Sequence, residues 1–590
     1  MTFNLVPQPR RIRIQDGLVE GLTDVAIIVP PESYSPLRLT ISAFRQILDA
    51  TGNTKSALYS TSCVGDAYPI VLSFDKSIRH TQGYQLVIGQ NSIRLTAATN
   101  TGLNYAVLTL SQIIEQSQGV PPPLHITDEP AIPERGVMLD ISRCKVPTLD
   151  TLKTLIGQLS ALKINQLQLY TEHTFAFSNH HEVWKNASPI TAEDVLELDH
   201  FCRERFIELV PNFNSFGHWE RWLKHPAYAK YANSPTGYTN PWGTEFPHGS
   251  LLKPNRETQK LLDQLYVELL PNFTSERFNV GCDETFELGT EWSAGICKRK
   301  GTERVYLDFL KAINRLCKKH GKVMMFWGDI IMKHPGLIPE LPEEAIALEW
   351  GYEANHPFAK DCKAFAASGI PFYVCPGTSS WNSLTGRTGN AFANLSSAAR
   401  NGVRQNARGY LITDWGDNGH HQYLPISYLP LTAGAALSWN ARKQPDIERA
   451  AGRIFFGDSK SAPLFAELGR THEHFTTPFF NSTVFHHLLF HGKVPHEKLV
   501  GLNRKELTDA REKLRNLRER NHEIKDRLIR REFRNAVDMA LFALHRGLLI
   551  QGQHERAPSL ANIKKQHRAL WLSRNRPGGL RESLSRLPHH

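Results

Sequence analysis

Arg135-Gly-Val-Met-Leu-Asp-Ile-Ser-Arg143 is followed, one amphipathic stretch later, by Asn165-Gln-Leu-Gln-Leu-Tyr170. Each contains a short apolar run, and between them Leu149, Leu152, Ile156 and Leu159 recur on one helical face. The pattern is strand, helix, strand, and it continues. Ile207 to Phe213, Arg277 to Gly281, Val323 to Trp327, Ala345 to Trp350, Pro371 to Val374 and Tyr410 to Thr413 bring the strand candidates to eight. Val305, Phe309, Ile313 and Leu316 line a further helix, and Thr191-Ala-Glu-Asp194 before Val195 reads as a capping-box start. The connection between the fifth and sixth runs is short and Pro-rich, which argues against a full helix there. Strands alternating with helices imply a parallel α/β sheet, and eight over about 300 residues imply a (β/α)8 TIM barrel. A doubly wound sheet is the alternative.

Upstream, residues 1–130 read as a small α+β domain. Tyr84-Gln-Leu-Val-Ile-Gly-Gln-Asn-Ser-Ile-Arg-Leu predicts a hairpin turning at Gly89 to Ser92, and Leu103, Ala106, Leu110, Ile113 and Ile114 mark a helix after it. Val120-Pro-Pro-Pro, Pro130 and Pro133 punctuate its end. The barrel takes residues 131–440, and residues 441–590 read as a helical region. Its predicted helices are a long charged one over Arg504 to Arg531, an apolar one over Phe533 to Leu549 and a short one over Asn562 to Leu572; Pro577-Gly-Gly and the final Leu-Pro-His-His read as frayed.

Apolar residues at 41% and charged residues at 22% exclude disorder, collagen and coiled-coil rods. The net charge of +11 raises the question of an anionic partner. Residues 501–590 hold 21 Lys and Arg against 10 Asp and Glu, while the first 500 residues hold 48 of each. The body is neutral and the tail is basic. Arg511, Arg515, Arg518 and Arg530 alternate with Glu512, Glu519 and Glu523, which fits solvated or packed helix faces better than nucleic-acid binding. No nucleic-acid or membrane partner is expected, and the C-terminal helices are candidate homo-oligomer contacts. The most apolar segment, Tyr428 to Trp439, is far short of the ~18 residues of a membrane span. No signal peptide is read at the start, with a cleaved leader left open. Cys63, Cys144, Cys202, Cys282, Cys297, Cys317, Cys362 and Cys375 have no CxxC spacing and fit a reduced, cytoplasmic protein. Four sequons, at Asn186, Asn272, Asn394 and Asn481, are near chance.

Functional residues of such a barrel sit at the C-terminal ends of its strands. Asp140, Glu172, His173, Asn214, His218, Asp283, Glu284, Trp327, Asp329, Trp350, Trp381, Asp414, Trp415 and Asp417 fall there. One rim carboxylate is usually a solvated charge and one tryptophan a core cap. Their recurrence on at least six strands reads as a carbohydrate pocket, with aromatic faces for C–H faces and carboxylates accepting from hydroxyls. The sharpest segment is Asn279-Val-Gly-Cys-Asp-Glu-Thr285. Glycosidic hydrolysis ordinarily uses two carboxylates about 5 Å or about 6.5–9.5 Å apart across the scissile bond. Adjacent residues leaving one strand do not easily flank a sugar that way. With Glu284 as general acid, the nucleophile is either a carboxylate from another strand or the substrate's own 2-acetamido group, steadied by Asp283.

In order and position, the motifs over about residues 1 to 440 resemble glycoside hydrolase family 20, the exo-acting β-N-acetylhexosaminidases, in a divergent bacterial branch. Arg135-Gly-Val-Met-Leu-Asp-Ile-Ser-Arg143, Pro211-Asn-Phe-Asn-Ser-Phe-Gly-His218, Gly281-Cys-Asp-Glu284, Phe326-Trp-Gly-Asp329, Glu349-Trp350 and Asp414-Trp-Gly-Asp417 carry the likeness. It implies Glu284 as general acid and then base, Asp283 as support for the acetamide nitrogen and an oxazolinium intermediate, and Arg135 and Asp417 as ligands of the terminal hydroxyls. It also implies Trp327, Trp350, Trp381 and Trp415 as pocket walls; His218 reads as ordering a neighbouring carboxylate rather than as a ligand. The substrates implied are terminal β-linked N-acetylglucosamine or N-acetylgalactosamine glycosides, cleaved with retention. Three departures stand out: Cys282 replaces a usual glycine, strand two ends Tyr170-Thr-Glu-His-Thr-Phe, and the loop Cys375-Pro-Gly-Thr-Ser-Ser-Trp381-Asn lacks the tyrosine that commonly binds the acetamide carbonyl.

Two alternatives stay open. One is a retaining exo-glycosidase for sugars without the acetamido group, with Asp414 or Glu172 as nucleophile; the other is a non-enzymatic carbohydrate-binding scaffold. The His-His pairs at His180, His420 and His486 lack H-E-x-x-H spacing, and no metal or other cofactor is expected.

Overall fold

The computed structural model describes residues 2–19, 22, 24–52, 55–59, 67–490, 502–553 and 556–588. Cys63 and the final two histidines lie outside the described residues; the other seven cysteines are buried and free.

The eight runs are strands: β1 (Glu134–Asp140), β2 (Gln166–Tyr170), β3 (Glu208–Val210), β4 (Arg277–Asn279), β5 (Val323–Trp327), β6 (Ile346–Trp350), β7 (Phe372–Cys375) and β8 (Gly409–Asp414). Among the described residues they form one parallel row in the order β3-β2-β1-β8-β7-β6-β5-β4. A doubly wound sheet would leave two free edges. Here the ends of the row meet at the Asn212–Asn279 bridge, which closes a barrel. At that seam Gln168 Oε1 accepts from Asn212 Nδ2 at 3.0 Å and from Asn279 Nδ2 at 2.9 Å, so both amide nitrogens that interrupt the apolar interior find one shared acceptor. Every residue of β2, β7 and β8 is buried, as strands covered on both faces must be.

The helices follow their local signals. Thr148 caps Leu149–Ala161, and Thr191 with Asp194 completes a capping box on Ala192–Arg203. Thr302–Lys319 turns Val305, Phe309 and Ile313 inward. Between β5 and β6 the chain makes only the short helix Asp329–Lys333 and the 3-10 turn Pro335–Glu340. Upstream, a seven-stranded sheet among the described residues contains the hairpin Tyr84–Ile88 and Ile93–Ala97, closed where Gly89 N donates to Ser92 O. The buried helix Tyr428–Trp439 joins this unit to the barrel: Trp439 enters the core of the sheet and its Nε1 donates to both carboxylate oxygens of Asp128 at 3.1 Å.

The C-terminal region departs from the sequence reading in two places. The long charged helix stops at Arg520, and Arg527–Ile550 begins anew where the Asp526 side chain accepts from Ile529 N at 2.8 Å. Pro577-Gly-Gly is not frayed. A Cβ on Gly579, whose φ is +76°, would meet the Cys144 carbonyl oxygen at 1.8 Å, and one on Gly578 would meet the Ala187 backbone at 2.2 Å. Only glycines permit this approach. Arg576 pairs with Asp194 at 2.8 Å, and the helix Leu580–Arg586 is thereby laid across the rim of the barrel.

Candidate active site

The backbone leaving β4 is left-handed at Gly281 (φ +67°), Cys282 (+68°) and Glu284 (+50°), and His218 (+58°) and Asp417 (+43°) share that conformation nearby. Position 281 also requires glycine on steric grounds, because a Cβ there would lie 2.6 Å from the Asn214 side chain. At the other four positions the conformation costs of order 1 kcal/mol or more each, and such strain concentrates at functional sites. Cys282, in the place of a glycine, is buried with Sγ 3.4 Å from Val280 O.

This turn delivers two carboxylates into different fields. Asp283 Oδ1 accepts from Asn214 Nδ2 at 3.0 Å, and Oδ2 lies 3.3 Å from His218 Nε2. Burial alone would raise its pKa; the His218 charge and these hydrogen bonds outweigh burial and hold the Asp283 carboxyl below the usual range. Glu284, with Oε2 3.6 Å from His218 Nε2, is pushed up, chiefly by burial and further by the Asp283 charge. His218 is itself raised to about 10: burial opposes its charge, and the Asp283 carboxylate more than offsets that. Asp329 accepts from Glu284 N at 3.4 Å and rises to about 8 through burial and the two adjacent carboxylates. One carboxyl pushed down beside one pushed up is the division that acid–base chemistry uses.

Arg143 lies on the other edge of the His218 ring, its Nη2 3.4 Å from His218 Nδ1. Its Nη1 is 3.1 Å from Glu172 Oε1 and 3.5 Å from Asp140 Oδ2, and its guanidinium stacks over the Tyr170 and Trp415 rings. Glu172 also accepts from Tyr170 OH at 2.9 Å and is pushed up to about 7 by burial. Asp417 Oδ2 accepts from Asn382 Nδ2 at 3.1 Å and shares a cleft of about 280 Å³ with Arg143, Glu172, His218 and Glu284. Trp327, Trp381 and Trp415 form one cluster at this end of the barrel with Trp350 packed against it. Tyr352, just past β6, joins them: it stacks on Trp350, meets Trp381 edge-on and accepts from Trp415 Nε1 at 2.8 Å.

Two sequence expectations are corrected here. Arg135 is not at the rim. It starts β1, at the opposite end of the barrel, where it is buried against Tyr105 and Trp439 and donates to the carbonyl oxygen of Lys163 at 2.8 and 3.1 Å. The rim arginine is Arg143, the other end of the same motif. Asp414 turns away from Glu284: Thr378 and Ser427 donate to its Oδ1 at 2.7 and 3.0 Å, and it lines a separate cavity with Lys145 and Glu532. Glu349 also faces elsewhere, 2.9 Å from His356 Nε2. The sequence reading missed Tyr352, which follows β6 where a tyrosine was expected after β7, and Glu582 and Arg586 of the terminal helix, which line the cleft with Glu284 and Arg221.

The catalytic-domain model of glycosyl hydrolase family 20 matches residues 133–406, and the model of that family's domain 2 matches residues 2–129. The chain belongs to glycosyl hydrolase family 20. Among curated relatives, a beta-hexosaminidase of Akkermansia muciniphila is 26% identical over 43% of this chain and 57% of its own length. A beta-hexosaminidase of Porphyromonas gingivalis is 22% identical over 59% and 47% respectively. The chain thus spans about half the length of these relatives. Among solved family 20 folds, a chitobiase of Flavobacterium johnsoniae superposes with a TM-score of 0.62 at 18% identity, covering 99% of this chain and 98% of its own. This likeness includes the C-terminal helices that the family models leave unmatched. Streptomyces plicatus N-acetyl-beta-hexosaminidase, at 17% identity, covers 77% of this chain and 95% of its own with a TM-score of 0.59.

Proposed function

We propose that this family 20 chain is an exo-acting β-N-acetylhexosaminidase that cleaves terminal β-linked N-acetylglucosamine or N-acetylgalactosamine with retention, using the substrate's 2-acetamido group as nucleophile. The observation that carries the reading is that Asp283 and Glu284, adjacent residues leaving one strand, lie 3.3 and 3.6 Å from a single His218 nitrogen, an arrangement that pushes Asp283 down and leaves Glu284 raised. Glu284, whose carboxyl burial pushes up, gives its proton to the glycosidic oxygen. Asp283, held ionised, accepts from the acetamide N–H as the carbonyl oxygen attacks the anomeric carbon, and it faces the positive charge of the oxazolinium ring that forms. Glu284, now a carboxylate, takes a proton from the water that opens this ring.

Arg143 and Asp417 supply a donor and an acceptor for terminal hydroxyls, the former in the place expected of Arg135. Trp327, Trp350, Trp381 and Trp415 wall the sugar. The Nε1 atoms of Trp327, Trp350 and Trp381 are buried without a protein acceptor, which suits a cage built for a polar guest. Tyr352 supplies the phenol for the acetamide carbonyl. The turn of Asp414 into its own hydrogen bonds counts against it as a nucleophile for the reading without acetamide.

The test is hydrolysis of aryl β-glycosides of N-acetylglucosamine, N-acetylgalactosamine, glucose and galactose. Cleavage is expected only of N-acetylated substrates, with inhibition by a thiazoline mimic of the cyclised intermediate. Losses of about 10²–10⁴-fold are expected in Asp283→Asn and Glu284→Gln. Equal turnover of glucoside and N-acetylglucosaminide would overturn the acetamide mechanism. Among the described residues no helix is long and apolar enough to cross a membrane.

A further inference from the structure

The basic tail is not uniformly solvated. Arg518, Arg520, Arg534, Arg574, Arg576 and Arg586 each hold an acidic partner. Lys564, Lys565 and Arg568, on the helix Leu560–Arg574, and Arg581, on the next helix, line one groove of about 830 Å³ together with Pro577, Leu580, Leu584 and Ser585. No acidic residue lines it. None of the four cations has an ion-pair partner among the described residues, and Lys565, Arg568 and Arg581 are exposed. Like charges one helical turn apart repel, so a paired surface would be the more stable arrangement.

The groove is also held rigid. Ser583, buried on the helix Leu580–Arg586, donates to Gly419 O at 2.6 Å and lies 3.0 Å from His567 Nε2. His421 Nε2 stands 2.9 Å from Ser583 O. That seven-residue helix presents Glu582 and Arg586 to the cleft of Glu284 and, on the adjoining face, Arg581, Leu584 and Ser585 to the basic groove. The two depressions are therefore separated by a single helix about 10 Å across.

We propose that this groove binds an anionic segment, sulfated or carboxylated, of the glycan whose terminal amino sugar occupies the cleft. The inference rests on the hexosaminidase reading above. A floor of Pro577, Leu580 and Leu584 under a cationic rim suits sugar rings bearing anionic substituents better than a bare phosphate chain. Position at the mouth of the cleft favours a glycan over nucleic acid or an anionic membrane.

The test compares full-length wild type with the triple variant Lys565→Gln, Arg568→Gln, Arg581→Gln. Two substrates of equal length are used, each ending in β-N-acetylhexosamine, one neutral and one with sulfated sugars behind the terminal residue. The variant is expected to lose about tenfold in kcat/KM on the sulfated substrate and nothing on the neutral one, with the wild-type preference fading as salt rises. An unchanged ratio of the two substrates would overturn the proposal. Binding of a sulfated oligosaccharide measured by calorimetry separates the two ideas: if neither substrate is cleaved but that binding is lost in the variant, the hexosaminidase reading fails and the groove stands. If duplex DNA or vesicles containing phosphatidylserine bind the groove more tightly than the sulfated glycan at the same salt, the groove belongs to another partner and the proposal falls.

Discussion

His218 Nε2 stands 3.3 Å from Asp283 Oδ2 and 3.6 Å from Glu284 Oε2, so one imidazolium faces both members of the adjacent carboxylate pair. Its charge lowers each of them, and it prevails only over Asp283, where hydrogen bonds add to it; at Glu284 burial, helped by the Asp283 anion, outweighs it. Removing the cation raises both carboxyls. In His218→Gln the whole profile of kcat/KM against pH is therefore expected to move to higher pH: the acid limb because Asp283 gains a proton earlier as pH falls, the alkaline limb because Glu284 keeps its proton longer. The rate at the new optimum falls by about 10–10²-fold with the loss of orientation around Asp283. A uniform drop without displacement of either limb would show that His218 acts only as packing.

The two arginines of Arg135-Gly-Val-Met-Leu-Asp-Ile-Ser-Arg143 give a paired prediction. Arg143 reaches Glu172 and Asp140 at the rim, while Arg135 lies beneath the barrel against Trp439. Arg143→Lys is expected to lose about 10²-fold in kcat/KM, mostly through KM, with little change in melting temperature, since a lysine cannot present two parallel donors. Arg135→Lys is expected to keep KM and lose stability. Kinetics and thermal melts on both variants check the division; a KM effect in Arg135→Lys would restore it to the site.

This pair also shows what a sequence can carry. The barrel was legible because each strand is an apolar run and each helix an apolar stripe, both local patterns. The rim positions of Asp283, Glu284, His218 and the tryptophans were legible because each sits within a few residues of a strand end. Arg135 and Arg143 bracket one strand, and only its direction, rim at the C-terminal end, tells which reaches the site. At about 3.3 Å per residue that difference spans the depth of the barrel. Tyr352 was hidden because the expected tyrosine belonged to the following strand. Glu582 was beyond any local pattern: its partner Arg221 is 361 residues away in the chain.

Tyr352 offers a hydroxyl among Trp350, Trp381 and Trp415, and Tyr352→Phe removes that oxygen while leaving the ring stacked on Trp350. Loss of the acetamide contact is expected to cost about 10–10²-fold in kcat/KM on N-acetylated substrates and to weaken thiazoline inhibition in parallel. Trp415 Nε1 also loses its acceptor, which a tryptophan fluorescence shift reports independently. Inhibition that stays at the wild-type level while fluorescence shifts would confine Tyr352 to supporting Trp415.

Glu582 takes both terminal nitrogens of Arg221 at 2.8 and 2.9 Å. Burial alone would raise its carboxyl; the Arg221 hydrogen bonds and charge outweigh that and lower it to about 2. A carboxylate depressed in the folded state contributes stability that is complete above its unfolded pKa of about 4.3 and is lost as pH falls through its folded value. With the glutamate side chain 30% exposed, the contribution after solvent screening is about 1–2 kcal/mol. Glu582→Gln is expected to lower the protection of Leu580–Arg586 against hydrogen exchange by that amount at pH 7, and the gap to wild type should close as pH drops from about 5 to about 2. Because the same helix walls the cleft, KM for oligosaccharides should rise in the variant more than KM for small aryl glycosides. A gap in protection that persists unchanged at about pH 2 would mean that packing at Gly578 and Gly579, rather than the ion pair, holds the helix on the rim.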